Sequence, residues 1–275
     1  MIRRSVKAVW RRIAPTNYWV KQLAKMKRNS AEPEVRLLPA LLAPGSVAVD
    51  IGAAGGVYIA HLLGRASKIF AFEPRPAQAA LLRELTSVLR LPIQVEAVAL
   101  SDRCGTATLR MLSKDLGRST IDAANALEDP DGSPQTQISV PMRRLDAYEL
   151  HQLGFMKIDV EGHELAVLDG AEKTIVRTRC NVLVETEERH HAGATDAVFR
   201  WMDSRGYVGY FLLDGRLRPI GQFDRELHQN KASIGGWKRN WERIGVYVNN
   251  FVFVPAERQT EFLGACRGLG VDQSA

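Results

Sequence analysis

The segment VAVDIGAAGG, Val47 to Gly56, followed by AFEP with Glu73 twenty-one residues after Gly52, limits this chain to few architectures. Each is a short apolar run ending on an acid, and the first leads through glycines into a helical stretch over 57–63. Strand, tight turn, helix and second strand form a βαβ unit, which requires parallel strands joined by crossover helices. The rhythm persists. Leucines 81, 82, 85 and 89 recur at helical spacing in 76–89, and 93–100 reads as one strand. Further strands are predicted over 105–112 (an edge hairpin arm), 138–142, 155–160, 181–185, 207–213 and 246–255. Helices are predicted over 145–152, 164–176, 196–204 and 257–267. Residues 113–137 form a long polar connection suited to a lid or substrate loop. The 275 residues accommodate one doubly wound α/β domain.

The glycine turn after Asp50 lets backbone approach a ligand, and a helix start offers free N–H groups. Glu73, ending the second strand, stands where a carboxylate accepts from two ribose hydroxyls. The turn reads GxxGG rather than GxGxxG, so the dinucleotide fingerprint fails and an NAD-dependent oxidoreductase becomes the rival reading. Asp50 would repel a pyrophosphate but welcome an ammonium. S-adenosyl-L-methionine, with a ribose, an ammonium and no phosphate, satisfies both acids. Ser101 and Asp102, in AVALSD, end the third strand where an adenine would lie.

In KIDVEGHE, Lys157, Asp159 and Glu161 alternate with Ile158 and Val160, which projects the three charges to one side of a strand end. Charges on an interior strand are costly unless they serve a site at its carboxyl end, where open parallel sheets bind ligands. Gly162 gives a sharp exit, and His163 opens the next helix. An alcohol becomes a good nucleophile only when its proton is taken, and Asp159, Glu161 and His163 are the candidate bases. Asp159, Glu161 and Glu185 would alternatively converge on Mg²⁺ or Ca²⁺, although a metal is not the favoured reading. His190 and His191 read as an exposed loop pair.

These motifs, with MKIDVEGHE and the late NNFVFVP, resemble the FkbM family of S-adenosylmethionine-dependent methyltransferases over about 47–255. The resemblance implies a class I methyltransferase fold: a Rossmann-like sheet of seven strands, mostly parallel with an antiparallel last strand. It also implies O-methylation of a hydroxyl on a sugar, glycan, glycolipid or secondary metabolite. Asp50, Gly52 and Gly55 would hold the methionine part, with Ala53 and Tyr58 beside them. Glu73 would take the ribose and Ser101 with Asp102 the adenine, while Asp159, among Lys157, Glu161 and His163, would border the transferable methyl. One departure is Ala54, where the family commonly has Asn.

Charge divides the chain. Residues 1–31 hold nine of the 37 basic residues and no acid, which leaves 28 basic residues against 31 acids, a net of −3, for the remainder. Residues 1–32 therefore read as a basic amphipathic arm, with Val6, Val9, Trp10 and Ile13 on one face of a helix stopped by Pro15, and 33–275 as the methyltransferase domain. The arm has the pattern of an interfacial helix on anionic lipid, a solvated tail being the alternative. An acidic body without a basic stripe argues against nucleic acid. A small-molecule or glycan acceptor and a cytoplasmic setting, at the inner membrane face if the arm binds lipid, are expected. A non-catalytic membrane adaptor is the remaining rival. Three widely separated cysteines give no disulfide framework.

Overall fold

The computed structural model describes residues 10–28, 32–112, 118–127, 134–233 and 245–273. The main sheet has eight strands. β1 (Val47–Ile51), β2 (Lys68–Phe72), β3 (Ile93–Glu96), β8 (Leu153–Ile158) and β9 (Asn181–Glu185) are mutually parallel, in the spatial order β9-β8-β1-β2-β3. A second sheet, between β3 and β8 in the chain, is built from β4 (Ala99–Leu100), β5 (Gly105–Leu112), β6 (Ser119–Thr120) and β7 (Gln135–Arg143). β12 (Asn250–Pro255) inserts antiparallel between β9 and β10 (Tyr207–Leu213), and β11 (Arg216–Pro219) adds an edge hairpin to β10. The expected antiparallel last strand is thus present. β11 makes eight strands rather than seven, because the polar stretch after Leu213 folds straight back on β10.

The helices are α1 (Pro15–Arg28), α2 (Leu38–Leu41), α3 (Val57–Leu62), α4 (Pro76–Leu89), α5 (Glu164–Thr178), α6 (Ala194–Asp203), α7 (Arg225–His228) and α8 (Gln259–Gly268). They cover the sheet from both sides over two apolar layers. Ala48, Ile69, Phe155, Leu183 and Val252 belong to one, and Val49, Phe70, Met156, Val182 and Phe251 to the other. This is the period-2 alternation of strands buried on both faces. Among the described residues no helix is long and apolar enough to cross a membrane.

Two sequence expectations change. The run 93–100 splits between sheets: β3 pairs with β2, whereas Ala99 and Leu100 pair with β7. An apolar run does not specify which sheet it joins. The expected helix over 145–152 is only a 3₁₀ turn, Leu145–Ala147, and Gln152, left-handed at φ 55, turns the chain into β8. The first helix ends before Pro15 as expected: residues 10–13 are helical, Ala14 is a bend, and Pro15 then opens α1, since proline lacks only an N–H that a first turn does not use. α1 is also no free arm. Trp19 is buried against the body, its Nε1 donates to Glu84 at 3.2 Å, and Arg11 lies 3.3 Å from the same carboxylate. Val6 and Val9 lie outside the described residues, and Ile13 is 76% exposed.

Candidate active site

The carboxyl ends of β1, β2 and β8 meet at one edge, where a cleft with about 540 Å³ of non-atom space opens to solvent. Gly52, Glu73, Asp159 and Glu161 line it, with Phe72, Val98, Ala99 and Leu100 as apolar wall. Ser119, Thr120 and Ile121, from the predicted substrate loop, close another side, and Asn125 of that loop donates to the Glu161 carbonyl at 2.7 Å. The rest of the loop, 113–117 and 128–133, is outside the described residues.

The glycine turn departs from the sequence reading. Its amides face protein: Gly52 and Ala53 donate to the Phe72 carbonyl at 2.9 and 3.1 Å, and Ala54 donates to Glu73 Oε2 at 2.8 Å. Gly52 has φ 79, and a Cβ there would lie 1.8 Å from the Asp159 carbonyl oxygen. Glycine is therefore required by close strand packing rather than by ligand approach. Ala54 adopts φ 45, a left-handed conformation in which Asn is far more at ease.

Glu73 is 1% exposed and fully engaged. Oε1 accepts from the Arg75 amide at 2.8 Å and Arg75 Nε at 2.7 Å, and Oε2 from Ala54 and Arg75 Nη2, the latter at 3.0 Å. Those four bonds use the whole acceptor capacity of a carboxylate. A ribose would have to displace part of the Arg75 fork.

Asp50 is also 1% exposed, but its Oδ2 has no hydrogen-bond partner. Burial raises its pKa to about 7 against the opposing charge of Lys157, its register neighbour on β8. Lys157, 3% exposed, donates to Asp159 Oδ2 at 2.8 Å and lies 4.5 Å from the centre of the Tyr58 ring. Burial alone would lower the Lys157 pKa; the carboxylates of Asp159, Glu32, Glu185 and Asp50 outweigh it and hold the ammonium charged. Burial and then the Asp159 charge push Glu185 well above the usual carboxylate range, and Asn249 donates to it. An orphaned buried oxygen among acids with one lysine is a fitting seat for an ammonium. Tyr58 is buried with its ring against the Lys157 ammonium.

The expected one-sided row of charges ends at Asp159. β8 stops at Ile158, and Glu161, left-handed at φ 56, turns toward Arg189 and His190. His163 is no solvated cap. Its Nε2 lies 2.9 Å from Ser101 Oγ, which donates to Asp102 Oδ1 at 2.9 Å. The single hydroxyl proton is thereby spent on Asp102, so His163 Nε2 donates, and burial lowers the His163 pKa. His163 belongs to a neighbouring open groove with Arg103, Thr106 and Thr108. Ser101 and Asp102 are absent from the lining of the first cleft, whose wall beside Glu73 is Val98 to Leu100.

The predicted cation set of Asp159, Glu161 and Glu185 does not form, because Lys157 and Asn249 occupy two of its members. Glu161 instead gathers with Glu187 and His190. His190, expected on an exposed loop, is 6% exposed; its neighbour His191 is only half-buried. The sequence signal was present, an acid and two histidines just past a strand, but nothing in it showed that this loop folds inward.

The sequence profile of the Methyltransferase FkbM domain matches residues 50–208, more than half of the chain and all of the elements just described from Asp50 to β10. The chain belongs to the FkbM methyltransferase family. S-adenosylmethionine is accordingly its cofactor, and the class I architecture of the main sheet is the one this family requires. A search of curated proteins finds no match to the sequence. Among solved structures, the chain is similar to the FkbM methyltransferase of Methylobacillus flagellatus KT, with 16% identity and a TM-score of 0.46 over 76% of this chain and 43% of that one. It thus spans less than half of that relative. It is also similar to SMU.1697c of Streptococcus mutans, solved in complex with SAH, with 10% identity and a TM-score of 0.43 over 80% and 94%. An rRNA methylase of Streptococcus thermophilus follows at 12% and 0.40 over 80% and 91%.

Within this FkbM chain the residues present fit the cofactor unevenly. Asp50, which is not among the residues lining the cleft, would offer an unpaired acceptor to the ammonium, and Glu73 would offer the ribose a carboxylate already covered by Arg75.

Proposed function

We propose that this chain methylates a hydroxyl oxygen of a sugar, glycan, glycolipid or secondary metabolite, with Asp159 as the base. The observation that carries the reading is the setting of Asp159. It is 25% exposed on the cleft, and one oxygen is held at 2.8 Å by the buried Lys157 ammonium. When bound, the cofactor supplies a methyl group made electrophilic by its sulfonium. The protein then has to hold an alcohol oxygen in line with that methyl and receive its proton. Lys157 fixes the orientation of Asp159 through that bond. Phe72, Val98 and Leu100 give the adenosyl part an apolar wall and exclude water. Asp159→Asn keeps the shape and removes the base, so turnover should fall by about 10²- to 10⁴-fold while cofactor affinity changes little. Full turnover by this variant on the true acceptor, found by incubating labelled cofactor with fractionated glycolipid extracts, would reject the assignment. His163→Ala, tested in parallel, separates a base from a group in the adjoining groove.

The acceptor class is joined to a place of work. The outward face of α1 carries Lys21, Lys25, Lys27 and Arg28, all exposed, with Val20 at 52% and Ile13 beyond it. Fixed to the body through Trp19, this face would set the enzyme on an anionic membrane surface in one orientation. Because Trp19 is buried, deleting the arm would damage the fold. Reversing the four basic charges to Glu is the cleaner experiment and should abolish sedimentation with anionic liposomes while preserving cofactor binding. Unchanged sedimentation would reject the membrane reading.

A further inference from the structure

We propose that Glu161, Glu187 and His190 form a binding site for one divalent first-row transition-metal ion at the edge of the cofactor cleft. One ligand atom from each lies within 4.8 Å of the other two. An ion held at about 2.1 Å by neighbouring octahedral ligands needs separations of roughly 3 Å, a small contraction of this arrangement. His190 Nε2 and Glu161 Oε2 already stand 3.0 Å apart.

The second observation is that this close pair is not hydrogen-bonded. The His190 side chain is 4% exposed, yet neither of its ring nitrogens makes a hydrogen bond, and Glu161 Oε2, on a side chain 15% exposed, meets His190 Nε2 only as an ion pair. A buried imidazole nitrogen and a carboxylate oxygen 3.0 Å apart are spaced as two neighbouring ligands of one cation. His190 Nδ1, buried and without a hydrogen-bond partner, carries the cost of an unsatisfied polar group.

Arg189 now supplies the counter-charge. Its guanidinium binds Glu187 at 2.6 and 2.7 Å and stands 3.6 Å from Glu161. It is therefore the ion's competitor, together with Tyr247, whose hydroxyl also donates to Glu187, and uptake requires both to loosen from Glu187. The donor set of one imidazole nitrogen and two carboxylate oxygens favours Mn²⁺ or Zn²⁺ over Mg²⁺ and Ca²⁺, which prefer all-oxygen sites. Glu161 lines the cleft, so the bound ion would offer its open positions to the acceptor's hydroxyls. That role rests on the proposed hydroxyl methylation; binding of the ion does not.

The test is an electron-paramagnetic-resonance titration of the full-length chain with Mn²⁺, without cofactor or acceptor, so that its failure is distinguishable from failure of the acceptor assignment. One ion per chain is expected, displaced by Zn²⁺ but not by an equal concentration of Mg²⁺. Glu161→Gln and His190→Ala should each weaken binding by about 10- to 100-fold or more. His190→Gln serves if the alanine variant does not fold, judged by its melting transition. Arg189→Gln should tighten binding, which a purely structural salt bridge would not do. Failure of the wild-type chain to bind Mn²⁺, binding indifferent to the His190 and Glu161 substitutions, equal displacement by Mg²⁺, or Arg189→Gln weakening the site would each overturn the proposal.

Discussion

Asp50 and Glu73 lie at the ends of neighbouring parallel strands, are both 1% exposed, and are assigned to two parts of one cofactor. Their surroundings are opposite. Glu73 receives four hydrogen bonds, three of them from Arg75, whereas Asp50 keeps an oxygen that no donor reaches. The first is a carboxylate that the fold has already paired, and the second is one with an oxygen that the fold leaves unpaired. Equal burial therefore says little about readiness to bind. On the proposed assignment, a ribose would have to exchange bonds with Arg75, whereas an ammonium would give Asp50 Oδ2 the partner it lacks.

Substitutions at the two acids should separate these cases by sign. Glu73→Ala removes the carboxylate that binds the buried Arg75 cation; breaking a buried pair from one side costs about 3–5 kcal/mol. At roughly 2–4 °C per kcal/mol for a chain of this size, the cofactor-free melting temperature should fall by about 10 °C. An unchanged melting temperature in scanning calorimetry would show that Arg75 is not bound as described.

Asp50→Asn should do the reverse. Its carboxyl is raised to about 7 by burial, so the folded chain keeps a proton that the unfolded chain gives up at its ordinary value near 3.8. Asp50's contribution to stability is therefore present below about pH 4 and is lost as pH rises through 7. The Asn variant should melt above the wild type at pH 8 and near it at pH 4. It should also bind S-adenosylhomocysteine about 10- to 100-fold more weakly, the value of a charge-assisted hydrogen bond. In the wild type the same protonation makes affinity climb with pH, by at most tenfold per unit below 7, and level off above. Isothermal titration at pH 6, 7 and 8 checks this; a flat profile would mean that Asp50 does not meet the ammonium.

Much of the architecture was legible. β9 and β10 fall on their predicted residues, β1 and β2 on the predicted runs, and Asp50 and Glu73 at strand ends, because a period of two and a glycine after an acid are local signals. The 93–100 run was not legible as two strands in two sheets, since pairing partners are not written into an apolar run. Nor was His190 legible as buried. It follows β9, and only the placement of β9 beside β8 sets it against Glu161. Asp159 and Lys157 were readable as neighbours on one strand, but Glu161 left their row through a left-handed turn that its own residue type does not announce.

The sequence by itself determined the strand–turn–helix units, the acids at their ends and the family, because those depend on residues a few positions apart. The tertiary structure decided which acids are spent and which are open. Arg75 folds back on Glu73 and Lys157 reaches Asp159, each only two positions away, through side-chain direction, whereas Arg189 with His190 closes on Glu161 through the strand order that sets β9 beside β8. A carboxylate's chemistry depends on its donors, and spacing along the chain offers them while packing decides which of them reach it.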